Sequence, residues 1–509
     1  VEKILALHNS HNASVCEIED GKIIYFQEAE RINRVKRSTD FSVLLHKYTN
    51  QSFDKIILVL HYEKIVQIEK LLEQFNITYK ELIRTTQHHF FHACTAYYNS
   101  GFTDSYVLVA DGNGSFIDDK YDEILSLYYF KNNKYKKIFQ LYSIQDGNEY
   151  TSGRDTYLNT ISLGEMYEQA KLICKYKEEG SVMGFSCYQR NKDNVDKLFS
   201  VKHKHFCLLS KQMYHLNFKH DLNICATVQK NLEEIIMTYV KNIIAGKKRN
   251  LCVSGGVFQN TVLNSKILDI VPDLHVDPFA EDSGLSMGAA MFYSKNKQKI
   301  NNLYLGDLPN YNQILNKCFN ITPAEVAKLI SNKNVVAIFQ GKNELGKRAL
   351  GNRSFLYDPR DSFAKEKINL LKGREWFRPA AGTVLLEHAN EWFDLKNKKE
   401  TPYMSYVFKV KKNIPGITHI DQTCRIQTVT KQQNYHYYNL IHEFYKQTDV
   451  PILLNTSFNL AGQPLINSIN DVMHLFESKN NDRASGRWYS ENFNYVYFPE
   501  IGKMYCHEN

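Results

Sequence analysis

The chain has 509 residues, more than one ordinary core accommodates, so two or more domains are expected. With 43% hydrophobic and 23% charged residues its composition is globular, and no apolar run approaches the roughly 20 residues of a membrane helix. A net charge of +8 spread over this length suits anionic small molecules such as nucleotides, and no long Lys/Arg block points to nucleic acid.

The opening VEKILALHNS lacks the basic-then-apolar plan of a secretory leader. KILAL, VCEIE and KIIYFQEAE then read as strand, strand and strand. The first two are joined by the polar turn HNSHNAS and the last two by Asp20-Gly21, a hairpin signal. The turn places His11, Asn12 and Ser14 near the basic segment ERINRVKRS, with Arg34, Lys36 and Arg37. Such groups can contact a phosphate or a polar acceptor, and a turn followed by a solvated basic helix explains them equally well.

QHHFFHACTAYYNS reads as a helix. His88 and His92 stand at i and i+4 and share one face, while His89 and His92, at i and i+3, form a second pair that spacing leaves open. Two ligands do not complete a metal site. Asp111 in VADGNG and Asp282 in FAEDSG, each at a glycine-rich turn after an apolar segment, are the carboxylates that could join them. Two His and two Asp suit Fe(II), Zn(II) or Mn(II). On spacing alone, a helix burying its histidines against neighbouring carbonyls is the simpler reading.

SYVLVA before DGNGS and LCVS before GGVFQN are strands ending in glycine-rich turns, where backbone N–H groups can approach a phosphate. SGGVFQN matches neither a Walker nor a Rossmann pattern, yet Gly255 and Gly256 could admit a nucleotide and Asn260 could hold a polar edge. No repeat of 20–50 residues is visible.

A polar stretch over 295–313 marks the domain junction, giving domains at 1–300 and 331–509 with a linker at 301–330. TPAEVAKLISN reads as a helix and VVAIFQG as a buried strand. Arg348, Arg353, Lys372, Arg374, Arg378 and Arg425 follow, interleaved with Phe355, Trp376 and Phe377 rather than laid along one amphipathic helix. Guanidinium groups suit bidentate phosphate binding, and Asn455, Thr456, Ser457 and Asn459 of NTSFN add neutral donors. Chemistry on a phosphate-bearing ligand is the expectation. The ten cysteines occur without a C-x-x-C pair, as in a reduced, cytoplasmic protein.

HHFFHA, ADGNG, SGGVFQN, EDSGLSMGAA, RALGNRS, KGREWFRP, CRIQTV and LLNTSFNLAGQP occur in the order of the O-carbamoyltransferase family, and the chain resembles that family over essentially its whole length. The family's members carbamoylate nodulation factors, cephalosporins and aminoglycosides. The resemblance implies an α/β architecture: an N-terminal actin/Hsp70-like domain, similar to the transferase that makes threonylcarbamoyladenosine in tRNA, and a C-terminal YrdC-like domain. It implies ligands at His88, His92, Asp111 and Asp282, with Fe(II) first among the ions. Lys36 becomes an acceptor or carbamoyl contact, and Asp221 or His11 the base for the acceptor hydroxyl. Arg348, Lys372, Arg378, Arg425 and Ser457 would form carbamoyl-adenylate from ATP, with Mg²⁺, and carbamoyl phosphate.

The implied acceptor is a small hydroxylated molecule: a sugar, an antibiotic scaffold or a hydroxymethyl-pyrimidine nucleotide, with a phosphorylated one slightly favoured by charge. A homodimer is a family-based expectation. A tRNA-directed transferase and a nucleotide-binding regulator without turnover are the rivals. Asn12, Ser115, Ser181, Lys347 and Gln422 depart from the family's usual Asp, Glu, Lys, Pro and Gly, and place the acceptor side in question.

Overall fold

The computed structural model describes residues 1–60, 67–114, 116–117, 120–144, 149–189, 196–208, 220–481 and 493–507. Ser115 lies outside them. The chain divides into two units, Val1–Asn301 and Asn302–Asn509.

The first unit holds two sheets of one design. In the first, β1 (Lys3–His8), β2 (Ser14–Glu19), β3 (Lys22–Glu28), β4 (Ser52–Val59) and β5 (Thr78–Thr85) take the order β3-β2-β1-β4-β5. β1–β2 and β2–β3 pair antiparallel, whereas β1–β4 and β4–β5 pair parallel. The second sheet is built on β6 (Asp104–Ala110), β7 (Phe116–Ile117), β8 (Tyr121–Lys131), β9 (Lys134–Ile144), β10 (Tyr150–Ser152) and β11 (Asp155–Leu158). A separate hairpin, β12 (Phe199–Lys202) with β13 (His205–Leu208), precedes its last strands, β14 (Leu251–Ser254) and β15 (Leu274–Val276). Its run β9-β8-β6-β14-β15 repeats the order and senses of the first sheet. This duplicated topology is the actin/Hsp70-like arrangement.

Local chemistry sets the turns. Asp20 and Gly21 both take positive φ, +44° and +85°, as a two-residue hairpin requires. Asn132 and Asn133 do the same between β8 and β9, with φ of +50° and +63°. Asparagine tolerates this region because its short polar side chain hydrogen-bonds locally.

Two helices lie at the centre of the unit. His88–Ser100 packs on β6 and β14 of one sheet, Gly284–Tyr293 packs on β1, β2 and β4 of the other, and the two pack on each other. Their close approach depends on Gly288, where a Cβ would collide with the Phe91 carbonyl and with Thr95 Oγ1. Thr95 Oγ1 lies 2.8 Å from the Gly284 carbonyl and donates to it across the same contact.

The second unit is a nine-stranded mixed sheet. Its strands are β16 (Cys318–Asn320), β17 (Val336–Phe339), β18 (Arg353–Tyr357), β19 (Ala381–Leu385), β20 (Val407–Lys409), β21 (Thr423–Val429), β22 (Ile452–Ser457), β23 (Tyr495–Phe498) and β24 (Lys503–Cys506). They run in the order β16-β24-β23-β17-β18-β22-β19-β21-β20. The helix expected from TPAEVAKLISN is Pro323–Ser331, opened by a Thr322/Glu325 capping box with Pro323 in the first turn. It packs on helix Tyr435–Thr448, and β16 pairs with β24, so residues read as linker are built into this unit. Among the described residues no helix is long and apolar enough to cross a membrane.

Gly288→Val should push the central helices apart. Overpacking of this kind costs about 1–3 kcal/mol, and urea denaturation should show the lowered stability; an unchanged midpoint would mean that the helix contact can relax freely.

Candidate functional site

The ends of β1, β6 and β14 meet the first turns of the two central helices, and the four expected metal ligands converge there. One ligand atom from each of His88, His92, Asp111 and Asp282 lies within 4.8 Å of all the others, and all four side chains are buried. His88 Nε2 is 3.2 Å from His92 Nε2, and Asp111 Oδ2 is 3.1 Å from His92 Nε2. Asp282 Oδ1 stands 3.4 Å from His88 Nε2 and 3.6 Å from His92 Nε2. The helix phase turns His89 away: its Nδ1 meets Ser126 Oγ at 2.8 Å.

Asp111 is held by its other oxygen. Oδ1 accepts from the Gly112 N–H at 2.7 Å and the Gly256 N–H at 3.2 Å, which leaves Oδ2 facing the imidazoles. Gly255 makes this possible. Its φ is +94°, and a Cβ there would strike the Ala110 carbonyl. The SGG turn, read from sequence as a nucleotide contact, thus supports the carboxylate. His92 is steadied from behind by Ser254 Oγ, 3.4 Å from Nδ1, and Ser254 donates to Asp277 Oδ2 at 2.7 Å. This Ser254–Asp277 pair was not singled out in the sequence, since neither residue stands in a ligand spacing.

Burial alone would discourage the charged form of every group here. For His88 the nearby Asp282 and Asp111 outweigh it and bring the imidazole up to about 10. For Asp111, burial and repulsion from Asp282 are overcome by the adjacent His88 and His92 imidazoles, so its carboxyl stays below the usual range. Burial takes Asp277 up to about 6, opposed by Ser254 and the Phe279 N–H. Asp111 Oδ2 and Asp282 Oδ2 are buried without an aligned hydrogen-bond donor. Two imidazole nitrogens and two such carboxylates, all converging, fit a divalent cation in donor type and number.

His11 sits at the rim, half-exposed, with Nε2 3.0 Å from Asp282 Oδ2. Asn12 turns the chain there with φ of +63°. Lys36 Nζ is 3.0 Å from Glu30 Oε1. Asp221 begins helix Asp221–Ile244, is exposed, and accepts from Tyr176 OH at 3.2 Å. Ser181 is buried in helix Glu179–Ser186. Asn260 caps helix Thr261–Ile270 by accepting from the Leu263 N–H at 3.0 Å, and its amide donates to Gln229 Oε1 at 2.8 Å and Tyr167 OH at 3.0 Å. That side chain is engaged in the fold rather than open to a nucleotide.

In the second unit, β19 places Ala381 opposite both Arg425 of β21 and Asn455 of β22. Burial and repulsion from Arg348, Arg374 and Arg378 together pull the Arg425 guanidinium well below its ordinary pKa, and Arg425 Nε is enclosed without a hydrogen-bond partner. Glu344 Oε1 shapes the loop carrying Arg348 by accepting from the Leu350, Arg353 and Asn352 N–H groups at 2.8, 3.1 and 3.3 Å. Asn455 donates to the Ala349 carbonyl at 3.2 Å and to Thr383 Oγ1 at 3.0 Å. Lys372, buried at the end of helix Ala364–Lys372, donates to Ser457 Oγ at 2.9 Å and Asn459 Oδ1 at 2.8 Å. Thr456, beside Ser457, pairs with Phe355. Lys347 is exposed, and Gln422 takes φ of +63°, where the family's usual glycine fits more easily.

Arg353 differs from the other arginines. It is fully buried, lies 3.7 Å over the Phe339 ring, and donates to the carbonyls of Asn352 (3.0 Å), Gly341 (3.1 Å) and Gln340. We read it as a packing residue, not as an anion ligand.

Known proteins match both units. The carbamoyltransferase N-terminus model matches residues 39–291 and the carbamoyltransferase C-terminus model matches 327–485. Nodulation protein NolNO of Sinorhizobium fredii is 29% identical, covering 93% of this chain and 78% of the relative. Nodulation protein NolO of Bradyrhizobium diazoefficiens is 31% identical over 76% of this chain and 75% of the relative. Among solved structures, full-length HypF in its phosphate- and nucleotide-bound form is 13% identical with a TM-score of 0.42, over 58% of this chain and 55% of that one. The chain is therefore a two-unit α/β transferase. It belongs to the carbamoyltransferase family.

Asp277→Asn should weaken metal binding about tenfold, as loss of a residue that orients a ligand does. Equilibrium dialysis with metal analysis would check this; unchanged affinity would show that the Ser254–Asp277 pair does not orient His92.

Proposed function

We propose that the protein is an ATP-dependent O-carbamoyltransferase that activates carbamate in its second unit and transfers it in its first. The observation that carries this reading is the cluster of Arg348, Arg374 and Arg378 around Arg425, whose mutual repulsion calls for a polyanionic ligand.

Carbamoyl phosphate bound among these guanidiniums is cleaved by water to carbamate and phosphate. A carbamate oxygen then attacks the α-phosphorus of ATP, with Mg²⁺ on the phosphates, and pyrophosphate leaves. Arg348, Arg378 and Arg425 stabilise the charge that develops on the phosphoryl oxygens. Lys372, held by Ser457 and Asn459, adds a fixed positive charge at the end of β22.

In the first unit an acceptor hydroxyl attacks the carbamoyl carbon, the new C–O bond forms, and AMP leaves. A divalent ion held by His88, His92, Asp111 and Asp282, Fe²⁺ first with Zn²⁺ or Mn²⁺ as alternatives, would supply Lewis-acid polarisation of a carbonyl. His11, at the rim of that cluster, takes the hydroxyl proton. Asp221 and Lys36 orient the acceptor, a small hydroxylated molecule.

Purified protein given ATP and carbamoyl phosphate should release pyrophosphate, and its absence would sink the adenylation step. Arg425→Gln should lower that release about a hundredfold or more. His92→Ala should leave pyrophosphate formation intact while abolishing carbamoylation of hydroxylated acceptors, read by mass spectrometry; equal loss of both steps would overturn the two-site assignment.

A further inference from the structure

β1 ends on His8, beside the four-ligand cluster. The side chain is fully buried, and its ring stands edge-on to His88, with centroids 6.3 Å apart and planes at 83°. Neither ring nitrogen makes an aligned hydrogen bond; the Val59 main chain, alongside in the parallel pair β1–β4, offers one ring N–H only a weak one. The next residue repeats the pattern: Asn9 Oδ1 is buried without a partner.

Native interiors leave few polar atoms in this condition, because each has given up water for nothing. The rest of β1 shows what packing alone selects, since Ile4, Leu5, Ala6 and Leu7 are all buried and apolar. His8 and Asn9 break that run where β1 reaches the centre. Three unsatisfied polar atoms on two successive residues thus mark a place beside the cluster where a ligand completes the hydrogen bonding.

The available groups define the ligand. A neutral imidazole has one N–H donor and one acceptor nitrogen, and Asn9 Oδ1 is a further acceptor. A carbamoyl group presents the complement: one carbonyl oxygen and an amide with two N–H groups. We propose that His8 is a binding residue of the transfer site, donating a ring N–H to the carbamoyl oxygen while Asn9 Oδ1 accepts from the amide. This assignment rests on the carbamoyl-transfer function proposed above. It also supplies a basis for choosing carbamoyl over an acyl group, which has no N–H to offer Asn9.

The test uses the full chain loaded with Co²⁺ and titrated with cyanate, a small anion with a hydrogen-bond-accepting oxygen, followed by visible absorption. His8→Phe should keep its cobalt content while its cyanate dissociation constant rises about fivefold or more, as loss of one buried hydrogen bond requires. His8→Leu gives the same reading should the phenyl ring misfold, and His8→Asn, which returns an N–H, should recover part of the affinity. Wild-type cyanate affinity in both apolar variants would reduce His8 to packing. Loss of cobalt would make it a metal ligand or support, and either result overturns the proposal. A wild type that binds cyanate with the expected His8 dependence but transfers no carbamoyl group would sink the reaction and leave the binding role standing.

Discussion

Two carboxylates buried within a few ångströms of each other are the constraint around which the first unit is arranged. Asp111 and Asp282 repel one another and have both left water, a combination that is destabilising unless positive charge and hydrogen-bond donors compensate. The two imidazoles of helix His88–Ser100 provide the first compensation, and the Gly112 and Gly256 N–H groups provide the second for Asp111. Each requirement fixes another part of the fold. The histidines need the helix seated against β6 and β14, Asp282 needs the neighbouring helix at glycine distance, and Gly256 needs the left-handed turn at Gly255. A cation between these side chains would relieve the remaining repulsion, so the cluster is a site whose stability and ligand affinity are linked.

Much of this was visible in the sequence because it rests on short-range chemistry. Asp20-Gly21 announced its hairpin, TPAEVAKLISN announced a capped helix, and Asp111 at its glycine-rich turn follows a buried strand, whereas Asp282 lies in the turn that opens helix Gly284–Tyr293. What spacing left open was the helix phase. His88/His92 and His89/His92 both satisfy helical neighbour rules, and the choice is made by Ser126 and Glu123 of β8, which hold His89 on the opposite side through its ring and its N–H. That information lies more than 30 residues away in the chain. The duplicated sheet was implied by the family resemblance and not by any repeat in the residues, because the two halves share strand order and not side-chain pattern.

Two residues show how one composition signal can carry two meanings. Arg353 and Arg425 both occupy strands rich in apolar neighbours, and residue type alone made both anion ligands. The structure separates them by partners: Arg353 places both terminal guanidinium nitrogens on main-chain carbonyls and its face on an aromatic ring, whereas Arg348, Arg374 and Arg378 act electrostatically on Arg425. Gly255 and Gly256 behave similarly. The close backbone approach that suggested a phosphate is real, but the group that approaches is the Asp111 carboxylate. Sequence identified the geometric permission correctly and could not name the occupant.

The two units also present electrostatic environments that could not be merged. A guanidinium lowered by burial and by the repulsion of three others marks a place that favours polyanions and opposes a bare cation. A centre of two imidazoles and two carboxylates favours a cation and opposes a triphosphate. Over the few ångströms of one pocket the two fields would cancel, since a buried charge is poorly screened at that range. Dividing the chain into two folded units lets each field keep its own sign.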